Sequence, residues 1–202
     1  MIPSARDRLI ETASRLFHLR SYSSVGIQEL CEEAGVRRGS FYYYFPSKEA
    51  LVEAVLDYER DHLLEQVYDP AFEQTRAPLE RFDEFLRRLH EYQVARTNAE
   101  GGQVGGCPFA NLAQELASHH PKLRAQAEAI LDRFADMYQA ALEEGRGQGQ
   151  LDPDVDTQKS AVRIRAYVQG LLETAKLRAD PDVIAQCGLD VDGLLVRKMT
   201  DV

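Results

Sequence analysis

The stretch from Ser24 to Ala50 constrains the fold most, because it predicts two short helices joined by a tight turn. Ile27, Leu30 and Ala34 lie three and four residues apart, so they share one apolar helix face. Gly35 follows this face, and glycine often ends a helix because it adopts a positive φ without a Cβ clash. A second helix, opening with two arginines and rich in hydroxyl groups, comes next. This order is typical of a helix-turn-helix.

Residues 34–51 read AGVRRGSFYYYFPSKEAL, which resembles the DNA-binding core of the TetR family of repressors. The family pattern is roughly AGV-x-[KR]-G-[ST]-[LF]-Y-x-[YH]-F, followed by a loop and K-[DE]-x-L, and the chain fits it from Arg38 to Leu51. Arg37 departs from the pattern, because the family usually has Ser or Pro there to cap the recognition helix. The resemblance implies a protein that binds double-stranded DNA operators through this helix.

DNA binding requires cations for the phosphates and hydrogen-bond donors for the base edges. Phe41 and Phe45 form an apolar stripe that we assign to the core, which turns the polar side chains of the same helix outward. The resemblance also assigns tyrosine hydroxyls and the lysine after the loop to phosphate contacts. The alternative is that these aromatics are core or surface side chains and the arginines a solvated face. We predict DNA contacts from Gln28, Arg37, Arg38, Ser40, Tyr42, Tyr43, Tyr44 and Lys48.

The charge balance agrees with a local DNA contact. The whole chain carries a formal net charge of −9. Residues 1–50 hold seven Lys or Arg and six Asp or Glu, a balance of +1, so the remaining residues carry −10. An acidic body is repelled by phosphate, which helps to orient the head toward DNA.

Helical spacing of apolar residues dominates the rest of the chain, and strand signals are nearly absent. We therefore predict an all-α fold of about nine helices. The head is a three-helix helix-turn-helix domain over residues 1–47, and residues 48–202 form a ligand-sensing and dimerisation domain. One helix is expected to run from Lys48 to about Tyr68, and the last from Pro181 to Thr200, with Gly188 as a candidate break. The final two long helices are too apolar for an isolated body, so we assign a homodimer interface to residues 155–200.

The cysteines and the hydropathy pattern indicate the compartment. Cys31, Cys107 and Cys187 are odd in number and far apart, so neither a disulfide framework nor a zinc site follows from them. No signal peptide precedes the first helix, and no apolar run approaches the ~18 residues that span a membrane. We predict a cytoplasmic protein without a membrane partner.

A second motif lies in the body, where residues 106–115 read GCPFANLAQE. It resembles a TetR subgroup with the pattern GC-x-x-x-NLA-x-E, some of whose members sense electrophiles or oxidants through cysteine. Cys107 precedes the proline that opens a helix, and the unpaired N–H groups there lower the pKa of a thiol. Lys176 is a candidate cation that would lower it further. The alternative is an inert, partly buried thiol in an N-cap-like position that lines a pocket.

A small-molecule pocket is also expected among the aromatic residues of the helical body. For ligand binding or sensing we predict Cys107, Phe109, Asn111, Phe134, Tyr138, Tyr167 and Lys176. No cofactor or metal site is expected, because His119 and His120 are adjacent and diverge on a helix.

The sequence thus predicts a repressor, not an enzyme, that a small-molecule inducer or an electrophile releases from a palindromic operator. A cysteine-based redox switch on DNA without a reversible ligand is the alternative. An all-helical enzyme with Cys107 as nucleophile is a further alternative, for which no partner base is evident.

Overall fold

The computed structural model describes residues 3–116 and 119–197. Within these ranges the chain is all-α, as predicted, and the only β pairing is an isolated antiparallel bridge between Val155 and Arg197. The α-helices are α1 Ala5–Leu19, α2 Ile27–Glu33, α3 Arg38–Tyr44, α4 Lys48–Leu63, α5 Asp69–Ala71, α6 Glu80–Ala99, α7 Pro108–Leu116, α8 Pro121–Gly147, α9 Thr157–Arg178, α10 Val183–Cys187 and α11 Val191–Leu194.

The chain divides into two compact units. The head unit comprises the residues up to His62 together with Gly105–Ile130, and the body unit comprises Leu63–Val104 together with the residues from Leu131 onward. The predicted domain boundary between residues 47 and 48 stays a prediction. Residue contacts group α7 and the first part of α8 in the same unit as α1 to α4.

Helix α1 covers the helix-turn-helix pair of the head unit. Ser4 and Asp7 form a reciprocal capping box at its start, which satisfies backbone N–H groups that have no partner within the helix. The side chains of the predicted inward stripe are all buried, and burial of such a stripe is what stabilises a short helix in water. These residues are Leu9, Ile10, Ala13, Leu16 and Phe17.

The turn between α2 and α3 has the geometry that the sequence predicts. Gly35 has φ 61°, and its N–H donates to the carbonyl of Glu32 at 3.2 Å. The N–H of Val36 donates to the carbonyl of Cys31 at 2.8 Å. This pair of hydrogen bonds is a Schellman motif, which needs a residue in the left-handed region, and Gly35 occupies it without strain.

Helix α4 begins as predicted and ends differently. Ser47 caps it, since its Oγ accepts the N–H of Ala50 at 3.2 Å. The helical stretch continues through a π-helical turn, Leu64–Tyr68, into α5, and ends at Ala71, shortly after the predicted end at about Tyr68. Pro70 is the second residue of α5 and has no backbone N–H, so one carbonyl of the preceding turn receives no helical hydrogen bond from it.

An aromatic cluster fills the core of the body unit. Tyr68 stacks on Phe134 with ring centroids 4.1 Å apart, and its hydroxyl lies 2.8 Å from that of Tyr138. Phe82 and Phe85 of α6 pack against the same ring of Tyr138. The cluster joins the π-helical turn to α6 and α8, so these three segments share one core.

The last segment is broken at Gly188, the candidate break that the sequence indicated, so it does not form one helix from Pro181 to Thr200. Helix α10 ends at Gly188, whose φ of 69° lies in the left-handed region, and α11 starts only after Asp190, which caps it. Residues 198–200 lie outside the described residues. One of the two long helices assigned to the dimer interface is therefore replaced by two short ones, and α9 remains.

Candidate nucleic-acid interface

Helix α3 separates its side chains into a buried and an exposed set. Phe41 and Phe45 are buried, as predicted, with 0% and 3% of their surface exposed. Tyr43 is 82% exposed, and Tyr42 and Tyr44 are also exposed. Exposure of three neighbouring aromatic side chains is costly in water, so the surface is suited to a partner that covers it. Their hydroxyl groups suit the phosphate oxygens of DNA.

Two cations stand at the start of this exposed surface. The guanidinium groups of Arg37 and Arg38 are exposed, and neither has an ion pair or hydrogen-bond partner among the described residues. Arg37 is the N-cap of α3 and provides no side-chain capping bond, which agrees with the departure noted in the sequence. Both groups are thus available for phosphate oxygens or for guanine edges.

Other cations of the head brace its helices instead. Arg15 of α1 pairs with Glu33 of α2 at 3.0 Å, and Arg20, the C-cap of α1, pairs with Glu29 of α2. Gln28, predicted to contact DNA, is exposed and donates to Glu32 of the same helix at 2.9 Å. This contact lies at the surface, so water or DNA can replace it at little cost.

Lys48 occupies a more enclosed position than its predicted phosphate contact requires. Its ammonium donates to the backbone carbonyl of Tyr22 and lies 3.9 Å from the centroid of the Tyr22 ring. Partial burial lowers the pKa of Lys48, although Glu115 and Glu49 nearby favour the charged form. The phosphate contact stays a prediction. The ammonium has three N–H donors, of which the carbonyl of Tyr22 uses one.

The turn between α1 and α2 is bound by a carboxylate from α7. Glu115 accepts the backbone N–H groups of Tyr22 and Ser23, each at 2.7 Å, and the Ser23 hydroxyl at 2.5 Å. Burial raises the pKa of Glu115, but these hydrogen bonds outweigh it, so the net pKa lies below the usual value. Sequence reasoning missed this role, although Glu115 closes the second motif.

The start of that motif packs against α1. Asn111 donates to the carbonyl of Gly105 at 2.8 Å, and His18 Nε2 lies 3.0 Å from the carbonyl oxygen of Gly106. A Cβ on Gly105 would lie 2.1 to 2.4 Å from three ring atoms of His18, so no other residue fits there without displacement. The glycines of the motif therefore permit close packing of the loop on the helix.

Cys107 has the N-cap-like position that the sequence predicts. Its Sγ accepts the N–H of Ala110 at 3.5 Å, and the residue is buried with 7% of its surface exposed. Phe109, one turn into α7, is fully buried. These two residues and Asn111 all belong to the head unit.

The other predicted sensing residues belong to the body unit and do not form one group there. Phe134 and Tyr138 are buried in the aromatic cluster. Tyr167 instead donates its hydroxyl to the carbonyl of Gly188 at 3.1 Å, and Lys176 is exposed on α9. A shared ligand pocket for these residues stays a prediction.

Two cavities within single units contain none of the predicted sensing residues. The cavity of the head unit measures about 600 Å³ and lies between α1 and α4, with carboxylates that include Asp7, Glu53 and Asp57. The cavity of the body unit measures about 190 Å³ and lies beside the ion pair of Arg81 with Glu144.

Residues 3–116 and 119–197 contain no group of three or more His, Cys, Asp or Glu side chains that could hold a metal ion. Among the helices in these ranges, none is both long enough and apolar enough to cross a membrane.

The fold and this surface define a class, the helix-turn-helix DNA-binding proteins. Helices α1 to α3 form a head with a buried apolar core, and α3 presents cations and aromatic hydroxyl groups to the solvent. Family comparison agrees. Residues 9–55 match the description "Bacterial regulatory proteins, tetR family", and residues 78–187 match "Tetracyclin repressor-like, C-terminal domain". The chain belongs to the TetR family of DNA-binding transcriptional regulators.

Individual relatives cover most of the chain. Transcriptional regulator AcuR of Cereibacter sphaeroides is 31% identical over 183 residues, which are 88% of this chain and 79% of AcuR. The HTH-type transcriptional repressor DhaR of a Mycobacterium species is 28% identical over 181 residues, 90% of this chain and 87% of DhaR. A crystal structure of regulatory protein TetR from Rhodobacter sphaeroides matches with a TM-score of 0.81 and 26% identity, covering 95% and 99% of the two chains.

Proposed function

We propose that this protein is a transcriptional repressor that binds a palindromic operator as a homodimer and is released by a small molecule or an electrophile. The observation that carries the DNA-binding part is the exposed surface of α3, where Arg38 and three tyrosines surround a buried phenylalanine stripe. The description of DhaR as a repressor supports repression of transcription by this protein. Its site of action would be the cytoplasm, where operator DNA is accessible.

The DNA contact is tested with electrophoretic shifts on the DNA upstream of the protein's own gene. Arg38→Ala should weaken binding about 30-fold, since a lost contact of about 1 kcal/mol per head counts twice in a dimer. Arg133→Ala is the matched control, because Arg133 is an exposed cation of α8 in the body unit. Equal losses in both variants would contradict a specific role for Arg38.

Homodimer formation is proposed through α9. Its inward residues are buried, yet Val162 is 49% and Leu177 is 77% exposed on another side of the same helix. The Oε1 atom of Gln169 is buried without a hydrogen-bond partner. The exposed apolar side chains of Val162 and Leu177 are suited to contact a second copy of the chain. Two heads held at a fixed spacing would then bind two half-sites.

The dimer is tested by light scattering during gel filtration. Leu177→Glu should give a monomer with weak operator binding, because it places a charge in an apolar contact. Ala129→Glu, which adds the same charge at an exposed position of α8, should leave the mass and the operator affinity unchanged. A dimer of unchanged stability in Leu177→Glu would exclude this side of α9.

Effector control is proposed to act through the segment that begins at Cys107, in line with the GC-x-x-x-NLA-x-E subgroup. A reversible ligand and a thiol switch differ in their need for sulfur. Cys107→Ser should bind operator in both cases. It should stop responding to oxidants and electrophiles if the thiol is the sensor, and should keep its response if a reversible ligand is the signal. The regulator names of the relatives favour this role over catalysis.

A further inference from the structure

Two backbone N–H groups in the turn that connects α1 to α2 have no acceptor within the turn. Within the turn, Ser24 N–H donates to the carbonyl of Ser21 at 3.2 Å, and Val25 N–H donates to that of Tyr22 at 3.4 Å. The N–H groups of Tyr22 and Ser23 both point to Glu115 instead. The conformation of the turn therefore depends on a carboxylate that lies more than 90 residues away in the sequence.

The same turn is bound to the first residues of α4. The Lys48 ammonium donates to the Tyr22 carbonyl, and the Tyr22 hydroxyl donates to Glu49 at 3.2 Å. Helix α4 follows α3 after only Phe45, Pro46 and Ser47, so its start fixes the end of the recognition helix. The turn thus sets where α2 begins and is tied to where α3 ends.

We propose that Glu115 is a positioning residue for operator binding, which holds the α1–α2 turn, and through it α2 and α3, in the arrangement that meets DNA. Because α7 also contains Phe109 and follows Cys107 directly, Glu115 is the contact by which a change in this segment reaches the recognition helix. This second part rests on the proposed effector control; the first part rests only on DNA binding.

The substitution Glu115→Gln distinguishes a positioning role of Glu115 from an effect of its charge on DNA binding. Lys48 and Tyr22 interact with Glu115 directly, and Glu49 and His120 both contact Tyr22. Glu115→Gln removes one negative charge from the head, and that alone strengthens attraction to phosphate. The positioning role predicts the opposite result, because an amide presents only one acceptor atom to donors that a carboxylate serves with two.

The experiment compares operator binding by the full-length wild type and Glu115→Gln by fluorescence anisotropy over a series of salt concentrations. We expect about tenfold weaker binding, equivalent to about 1.4 kcal/mol, with an unchanged slope of log K against log salt. Far-UV circular dichroism and a melting curve check that the variant is folded at the assay temperature. Equal or tighter operator binding, or a changed salt slope, would overturn the proposal.

Ser23→Ala keeps the test decisive if Glu115→Gln does not fold. It removes the hydroxyl that donates to Glu115. Thr75→Ala, which removes an exposed hydroxyl of the body unit, is the matched control. Ser23→Ala should lower operator affinity about threefold, and Thr75→Ala should not change it. Equal affinities of these two variants would overturn the proposal.

Operator binding by the wild type distinguishes a failure of the proposed function from a failure of the proposed role of Glu115. If wild type binds no operator, the proposed function fails. If wild type binds and Glu115→Gln binds equally well, only the role of Glu115 fails. If Glu115→Gln has weakened affinity yet responds to effector as strongly as wild type, the coupling part is overturned and positioning stands.

Discussion

Gly105→Ala tests the close packing of the second motif on α1. The added Cβ would lie 2.1 to 2.4 Å from three atoms of the His18 ring, whereas ordinary contacts begin near 3.4 Å. The ring or the loop must therefore move by about 1 Å in an interior that is densely packed. His18 has only 4% of its surface exposed, so little free space is available for that movement.

The expected loss follows from these contacts. Overpacking costs about 1–3 kcal/mol, and disturbing the hydrogen bond between His18 and Gly106 costs about 1 kcal/mol. Alanine restricts the unfolded chain and returns about 0.5 kcal/mol, since Gly105 does not have a positive φ. The free energy of unfolding should fall by about 1.5–3.5 kcal/mol, a large part of the usual total.

The assay is urea denaturation at one fixed protein concentration, because dimer formation makes the midpoint concentration-dependent. Gly147→Ala is the matched control: a Cβ there meets nothing within 4 Å, so its stability should change little. The decisive comparison is Gly105→Ala in a His18→Ala background, where the clash is absent and the loss should shrink below about 1 kcal/mol. An equal loss in both backgrounds would refute this account of the packing.

Three further substitutions test other parts of the molecule. Arg37→Ser adds the missing cap to α3, so the free energy of unfolding should rise by about 1 kcal/mol in urea denaturation while operator affinity falls; a variant that improves both would show that Arg37 does not contact DNA. Arg81→Met removes a buried guanidinium that forms two hydrogen bonds to α8 and should cost about 2 kcal/mol, whereas Arg87→Met, exposed on the same helix, should cost under about 1 kcal/mol. The pKa of Glu115 is lowered in the fold, so the stability that its carboxylate contributes is present above the ordinary pKa near 4.5 and is lost as pH falls through the lowered pKa. The free energies of unfolding of wild type and Glu115→Gln should therefore converge only in acid. A difference between them that does not change with pH would contradict the hydrogen-bonded carboxylate.

Local sequence patterns predicted the parts of the head that local interactions determine. The stripe of α1, the Gly35 turn and the burial of Phe41 and Phe45 were all predictable, because helix period and left-handed turns depend on residues close in sequence. The missing cap at Arg37 was predictable for the same reason.

Contacts between distant segments were not predictable in this way. Glu115 and its partners at Tyr22 and Ser23 are separated by 93 and 92 residues, so no periodic pattern connects them. The inward position of Lys48 depends on that same turn. The sequence did not indicate the π-helical turn after α4, whereas the break at Gly188 was indicated by the glycine itself.

Selection from a random library of double-stranded DNA by the full-length protein tests the DNA-binding role independently of any chosen promoter. Two heads on a symmetric dimer should enrich a palindrome with two half-sites about one helical turn, roughly 34 Å, apart or a multiple of it. Arg38→Ala should lose this enrichment, whereas Arg133→Ala should retain it. Failure of the wild type to bind or enrich any sequence at low salt would contradict the account.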